Sequence, residues 1–188
     1  MNEKIVQPKL WQLLRSEKGP DLKIFQIRYD WVKNPRNHQE MKRIVLESQD
    51  WVNIVAITPD KKVVVVRQYR FGIKNVTTEI PGGIVDPGED SKEAARRELK
   101  EETGYTGRNW KYLGAVEPNP AIHNNLCHHW LAEDVHKTNK ELDLDEGEDI
   151  IVDTLTLDEI RSEIQNGRIR HSLALSGLCR VFDLWTER

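Results

Sequence analysis

One stretch, from Gly83 to Tyr105, constrains the fold of this chain more than any other. The residues around its start, Thr78–Asp90, are too rich in glycine and proline for a regular element and predict a loop. A helix is predicted over Ser91–Thr103, where Asp90 can cap the first turn and Glu93 can complete a capping box. The sequence therefore predicts a loop that turns directly into a helix.

Three glutamates of this helix are expected to share one side of it. Glu101 and Glu102 follow Glu98 by three and four positions, so the carboxylates project to neighbouring positions. Ala95 and Leu99 lie on the adjoining side and can pack on a sheet. Like charges at this spacing destabilise a helix by roughly 0.2–0.5 kcal/mol per pair. A hard divalent cation would reverse that penalty, because carboxylates are ligands that Mg²⁺ prefers. On the glutamates alone, a solvated charged face stays an open alternative.

The whole stretch resembles the Nudix box. Its fixed positions are Gly83, Glu89, Arg97, Glu98, Leu99, Glu101, Glu102, Gly104 and Tyr105. The resemblance implies an α/β fold, a Nudix α/β/α sandwich with a mixed sheet. It also implies a hydrolase that cuts a pyrophosphate bond in a nucleoside diphosphate compound and uses Mg²⁺, or alternatively Mn²⁺.

The resemblance further implies roles for particular residues. Glu98 and Glu102 are expected to be the main metal ligands, joined by Glu101 and by the carbonyl of Gly83. Arg97 is expected to orient a glutamate at the catalytic centre. Metal held there would neutralise charge on the pyrophosphate and lower the pKa of a bound water, which then attacks phosphorus.

Segments outside the box resemble the branch that contains ADP-ribose and nucleoside-diphosphate-sugar pyrophosphatases. Val66–Arg70 is followed by Glu79–Gly83, and Pro120 lies about fifteen residues past the box. By this resemblance Arg70 lies beside the substrate phosphates, where its forked guanidinium suits two-point contacts. Glu79 is likewise expected in the substrate-binding region.

The acidic segment Asp145–Asp149 precedes a predicted strand and is also similar to that branch. There, such a loop supplies a glutamate near the metals, as a base or as an additional ligand. Glu148 matches best and Glu146 second, while Glu101 is the alternative base. An ordinary exposed acidic turn is the competing interpretation.

The first 50 residues are expected to form a small antiparallel β-sheet domain, followed by a Nudix domain over residues 51–188. Strands are predicted at Leu22–Tyr29 and Met41–Ser48, with a turn at Asn34–Asn37 between them. In the similar branch this sheet exchanges between the subunits of a homodimer. Trp11 and Arg43 fall at positions similar to a base-stacking aromatic and a phosphate-binding arginine. For Trp11, plain packing stays open.

The rest of the chain alternates strands and helices. Trp51–Thr58 and Lys62–Arg67 predict a hairpin of largely buried strands. Further strands are predicted at Trp110–Val116, His128–Glu133 and Ile150–Leu157, and further helices at Asp158–Gln165 and Leu173–Trp185. Adjacent His128 and His129 should point to opposite faces of their strand, which argues against a metal site made by both.

Composition excludes several other classes. The net charge is −3, so the chain has no overall basic field for nucleic acid, and RNA decapping is disfavoured. Cys127 and Cys179 form no CxxC pair, which disfavours a disulfide framework or a zinc site. No apolar run approaches the ~20 residues that span a membrane. Because the N-terminus also lacks a signal-peptide pattern, a cytoplasmic protein is expected.

The substrate stays open at the level of sequence. Residues 117–132 read EPNPAIHNNLCHHWLA, where many ADP-ribose enzymes have a serine-proline-glycine segment and an acidic residue. GDP-mannose or another sugar nucleotide is therefore an alternative to ADP-ribose. A nucleoside triphosphate or coenzyme A pyrophosphatase and a non-catalytic nucleotide sensor are further alternatives, although the complete box disfavours a sensor.

Overall fold

The computed structural model describes residues 7–139, 142–144, 147 and 149–185. Packing divides the chain into two compact units. The first comprises the residues up to Ser48 together with Asn119–Asn125, and the second comprises Gln49–Pro118 and the residues from Leu126 onward. Among the described residues, no helix combines the length and the apolar character needed to cross a membrane.

The first unit contains a three-stranded antiparallel sheet in the order β1 (Gln12–Asp21), β2 (Gln26–Lys33) and β3 (Glu40–Glu47). The second and third strands confirm the two predicted ones, with β2 displaced toward the C-terminus, and the turn between them is present. Sequence reasoning missed β1 because nearly all of its residues are exposed, so no apolar alternation marks it. Inside the same unit, Leu46 donates its N–H to the carbonyl of Ile122 at 2.7 Å.

The second unit is built on a mixed seven-stranded sheet. Its strands and those of a small separate ribbon are β4 (Trp51–Ile57), β5 (Val63–Arg70), β6 (Asn75–Glu79), β7 (Gly82–Ile84), β8 (Tyr105–Thr106), β9 (Asn109–Val116), β10 (Cys127–Glu133), β11 (His136–Lys137) and β12 (Ile150–Leu155). The main path runs β12-β5-β4-β10-β9, in which β10 and β4 are parallel, and β8 pairs with β11 in the ribbon. The helices are α1 (Ser91–Thr103), α2 (Leu157–Gln165) and α3 (Ser172–Cys179).

The sheet divides between β4 and β5. These strands pair only at Ile57 and Val63, and beyond that point β6 pairs with β5 while β7 pairs with β4. The predicted hairpin is confirmed, and its two strands pair at the end next to the turn. The prediction that Thr78–Asp90 contains no regular element is wrong. Gly82 allows β7 to lie close against β4, because a Cβ at this position would overlap the carbonyl of Val52.

Two apolar layers cover the two faces of this sheet. Alternate residues of β4 face opposite sides: Val52 and Ile54 pack with α1, and Val55 packs in the layer that α2 and α3 cover. Ala95 and Leu99 are fully buried, as predicted for the sheet-facing side of α1. Burying a side chain such as Leu99 stabilises the fold by about 1.5–3 kcal/mol. The α/β/α sandwich is confirmed.

Two predictions about helix ends are wrong. The Asp90 side chain accepts from the N–H of Lys92 at 2.9 Å, but Glu93 binds Arg96 instead of completing a capping box. Helix α3 ends at Cys179 and does not continue to Trp185. The chain tightens there, because Arg180 donates its backbone N–H to a carbonyl three residues back.

Candidate active site

The box residues line one cleft of the second unit. The cleft has a volume of about 610 Å³ and lies beside β5, β7 and α1. Its lining residues are Gln68, Arg70, Gly82, Gly83, Ile84, Asp86, Arg97, Glu98, Glu101, Glu102, Asp143 and Leu144. Six of the residues singled out in the sequence thus meet here, namely Arg70, Gly83, Arg97, Glu98, Glu101 and Glu102.

Two glycines allow β7 to lie against the carboxylates of α1. A Cβ on Gly83 would overlap the carboxyl group of Glu98, so that carboxylate sits directly over the glycine. The N–H of Gly82 donates to Glu102 Oε2 at 2.9 Å. Glu102 is buried, and this backbone bond fixes the orientation of its carboxylate. The short strand therefore holds both glutamates at one edge of the cleft.

Arg97 is the centre of an acidic cluster. Its guanidinium donates to both oxygens of Glu89 at 3.1 and 3.0 Å. The same group reaches Glu98 at 2.8 Å and Glu101 at 3.1 Å. Pairing with Glu89, the largest cause, raises the pKa of Arg97, and the guanidinium in turn lowers the pKa of Glu89. Because one cation is shared by three carboxylates, the cluster keeps an excess of negative charge.

This cluster fits a hard divalent cation in its donor chemistry. Glu98 lies over Gly83, and Glu102 is held beside it by Gly82. Across the described ranges, no three Asp, Glu, His or Cys side chains converge closely enough to hold an ion alone. Backbone carbonyls and water would have to complete the shell, which is the usual arrangement for Mg²⁺.

A second cluster is centred on Glu79, which is only 2% exposed. Its two carboxylate oxygens accept from Nε and Nη2 of Arg70 at 2.9 and 2.8 Å, and Thr77 donates its hydroxyl to the same carboxylate. Burial alone would raise the pKa of Glu79, but Arg70 and the neighbouring His171 outweigh burial, and the net pKa is well below its usual range. Glu79, predicted at the substrate, therefore fixes the plane of Arg70 from below the surface.

Sequence reasoning missed His171. Its Nδ1 lies 2.9 Å from Glu79 Oε2, although the residue is far from Glu79 in the chain. His171 occupies the N-cap of α3, where Ser, Thr, Asp or Asn is usual. An unusual residue at a helix start was the only sequence signal for His171, and that signal does not indicate Glu79 as its partner.

The remaining predicted site residues either belong to the first unit or fall outside the described residues. Trp11 and Arg43 belong to the first unit, where the Arg43 guanidinium lies 5.8 Å from the centre of the Trp11 ring. Trp11 is 44% exposed, so its ring is not a plain core residue of that unit. Glu148 and Glu146 fall outside the part of the chain that the structure describes.

The two adjacent histidines point to opposite faces of β10, as predicted. His129 is fully buried and contacts the hydroxyl of Ser176 at 3.2 Å, and burial lowers its pKa to about 4. His128 contacts Tyr112 at 2.9 Å and Asp50 at 3.1 Å. The pair therefore does not form a joint metal site.

Comparison with known proteins agrees with the box. The family model for the NUDIX domain matches residues 48–175. A methanol dehydrogenase activator from Bacillus methanolicus is 34% identical over 80% of each chain. An ADP-ribose pyrophosphatase from Bacillus subtilis (strain 168) is 29% identical over 78% of this chain and 79% of the relative.

A solved structure supports the fold. The crystal structure of an ADP compounds hydrolase superposes with a TM-score of 0.80 at 22% identity and covers 94% of each chain. That likeness shows the shared architecture, whereas the family match rests on sequence over most of the chain. The resemblance inferred from the box is confirmed: the chain belongs to the Nudix family and is a Nudix hydrolase.

Proposed function

We propose that this protein hydrolyses the pyrophosphate bond of ADP-ribose or a related nucleoside diphosphate sugar. The products would be a nucleoside monophosphate and a sugar phosphate. The observation that carries the proposal is the presence, in one cleft, of the acidic cluster around Arg97 and of Arg70 held by Glu79. The ADP-ribose pyrophosphatase among the relatives supports this substrate class.

The acidic cluster is the proposed site of Mg²⁺, with Mn²⁺ as an alternative. Glu98 and Glu102 would be the main ligands, helped by the Gly83 carbonyl, by Glu101 and by Glu148. When bound, the ion supplies charge neutralisation on the diphosphate and an activated water. Carboxylate and carbonyl oxygens are the donors such an ion selects.

The protein's own groups then have distinct tasks. Arg97 keeps the carboxylates of Glu98 and Glu101 in place, because one guanidinium binds both. Arg70 binds a phosphate of the substrate, and Glu79 contributes by holding the Arg70 guanidinium. Glu148, or alternatively Glu101, accepts the proton of the attacking water.

The first unit is the proposed means of dimerisation in a cytoplasmic homodimer. Its sheet and the residues just before β1 expose several large apolar side chains, namely Leu10, Trp11, Leu13, Leu14 and Ile44. A small sheet with an exposed apolar surface is rarely stable without further cover. Trp11 is proposed to stack on the nucleotide base and Arg43 to bind a phosphate. Light scattering tests the assembly: a stable, fully active monomer contradicts it, and deletion of residues 1–45 should raise KM sharply.

The substrate is tested with a panel of ADP-ribose, GDP-mannose, a nucleoside triphosphate and coenzyme A, each with Mg²⁺ or Mn²⁺. Chromatography separates the nucleotide products, so AMP from ADP-ribose is read directly. The highest kcat/KM is expected for ADP-ribose or another sugar nucleotide. The Glu98→Gln variant, purified in the same way, controls for contaminating hydrolases. A preference for the triphosphate or for coenzyme A rejects the proposed substrate class.

A further inference from the structure

His171 is a second basic side chain at the buried carboxylate of Glu79. It approaches Oε2, the same oxygen that accepts from Arg70 Nη2 at 2.8 Å. Its Nδ1 lies 2.9 Å from this oxygen, which places a second basic nitrogen directly against the same carboxylate. The imidazole is 37% exposed, whereas the carboxylate between the two basic groups is buried.

The position of His171 in its helix argues against a purely local role. It is the N-cap residue of α3, yet its side chain makes no capping hydrogen bond and turns to Glu79 instead. Ser172, a far better capping residue, is the next one in the chain. A side chain that gives up the local interaction for a distant buried charge is typical of a site built for function.

The charges of this cluster explain what His171 could add. Glu79 and Arg70 alone form a neutral pair, and a neutral pair attracts a diphosphate less than a free guanidinium does. A protonated His171 gives the three groups together one net positive charge. The carboxylate can then fix the plane of Arg70 without cancelling the charge that Arg70 presents to the cleft.

We propose that His171 is a positioning residue for anion binding, which acts through Glu79 on Arg70. This rests on the proposed function, since a diphosphate is the anion that Arg70 would meet in the cleft. His171 offsets the charge of Glu79, so Arg70 stays oriented and still attracts phosphate. A merely structural histidine would affect stability and would not discriminate between charged and neutral replacements.

The test compares His171→Gln, which is neutral, with His171→Lys, which keeps a positive charge. ADP binding is measured by calorimetry in EDTA, and KM and kcat for ADP-ribose are measured with Mg²⁺. His171→Gln should raise both the ADP Kd and the KM about three- to tenfold, with kcat within about twofold of the wild type. His171→Lys should restore both constants to within about twofold. His136→Gln, at an exposed histidine of β11, is the matched control and should change neither.

Several results overturn the proposal. These are an unchanged ADP Kd in His171→Gln, an equal loss in His171→Lys and His171→Gln, or a wild-type protein that binds no ADP. Failure of the proposed function gives a different result. If the wild type leaves ADP-ribose intact but its ADP binding depends on the charge at position 171, the proposed substrate is rejected and the role of His171 is supported. If the wild type hydrolyses ADP-ribose and the His171 variants keep its Kd and KM, only the proposed role of His171 is rejected.

Discussion

Two arginine–carboxylate clusters, whose arginines both line the same cleft, differ in their ratio of basic to acidic groups. Around Arg97, one guanidinium binds three carboxylates, those of Glu89, Glu98 and Glu101. Around Glu79, one carboxylate meets two basic side chains, Arg70 and His171. Arg97 is 29% exposed, whereas Glu79 is almost completely buried.

The difference matches the proposed function, in which the first cluster would hold a metal ion and the second would meet a phosphate. A surplus of carboxylates at an open edge attracts cations, and a surplus of basic groups around one buried carboxylate attracts phosphates. The buried carboxylate is tolerated because it is paired; an unpaired one would be strongly destabilising. The net charge of −3 reveals neither cluster, because a sum over the whole chain carries no information about where the charges lie.

The largest effect is expected from removing charge at the proposed metal ligands. Glu98→Gln and Glu102→Gln should each lower kcat by about a hundredfold or more, since each removes a negative charge from the ion's surroundings. Glu93→Gln on the same helix is the matched control, because Glu93 is exposed and binds only Arg96 in the contacts described. Activity within tenfold of wild type in both ligand variants would contradict the assignment.

The next prediction tests whether the base that deprotonates the attacking water is Glu148 or lies within the acidic cluster. Glu148→Gln should lower kcat more than about tenfold and leave KM within a few-fold, the pattern of an interaction made in the transition state. Glu146→Gln should do less. If Glu146→Gln is crippled and Glu148→Gln is normal, the assignment between the two is reversed. If both are fully active, the base is Glu101 or the metal-bound water needs none.

Arg97 tests the acidic excess directly. In EDTA, Arg97→Gln should lower the free energy of unfolding by about 2 kcal/mol, between the values for exposed and buried ion pairs, because three carboxylates lose their shared cation. Mg²⁺ should stabilise this variant more than the wild type, since the ion then replaces the lost charge. Urea denaturation with and without Mg²⁺ measures both. Arg96→Gln, at an exposed neighbour, is the control. Equal losses of unfolding free energy in the two variants would contradict the stabilising role of Arg97 among the three carboxylates.

The acidic cluster could be predicted and the basic one only in part. Glu98, Glu101 and Glu102 are neighbours in one helix, so their spacing alone places them together. Arg70 and Glu79 lie on different strands, and their pairing depends on the register of β5 and β6 in a segment that was predicted to be irregular. His171 joins them only through the packing of α3, which no local pattern encodes.

The fold shows the same limit. The buried strands β4, β5 and β10 were predicted because their apolar residues are visible in the sequence. β1 and β7 were not, since one is exposed and the other is a glycine pair with one apolar residue. A strand that forms because another strand pairs with it, rather than because of its own residue pattern, cannot be predicted from the sequence.

His129 is a buried basic group without a carboxylate partner in the contacts above, so burial disfavours its charged form. Burial and the nearby Arg180 lower the pKa of His129 to about 4, from an ordinary value near 6.5. The unfolded chain then binds more protons, so the contribution of His129 to stability is present above about pH 6.5 and is lost as the pH falls toward 4. Between pH 8 and pH 5 the free energy of unfolding should fall by about 1–2 kcal/mol from this group.

Urea denaturation of the wild type and of His129→Gln across that pH range separates this group from the carboxylates. The variant should start lower at pH 8, because it disturbs the buried contact with Ser176, but should lose less stability on acidification. Parallel pH profiles in the two proteins would mean that His129 is protonated in the folded state, and that burial alone does not decide its charge.

The smallest effect separates the orientation of Arg70 from its charge. Lysine keeps the charge but cannot form the two-point contact with Glu79, so Arg70→Lys should raise KM about three- to tenfold and change kcat less than about threefold. The matched control is Arg67→Lys on the same strand, whose arginine pairs with Asp153 at 2.8 Å. Arg67 is not among the residues that line the cleft, so its replacement should leave KM unchanged. If Arg70→Lys binds substrate as well as the wild type, charge alone is sufficient, and the buried carboxylate serves the fold rather than the phosphate.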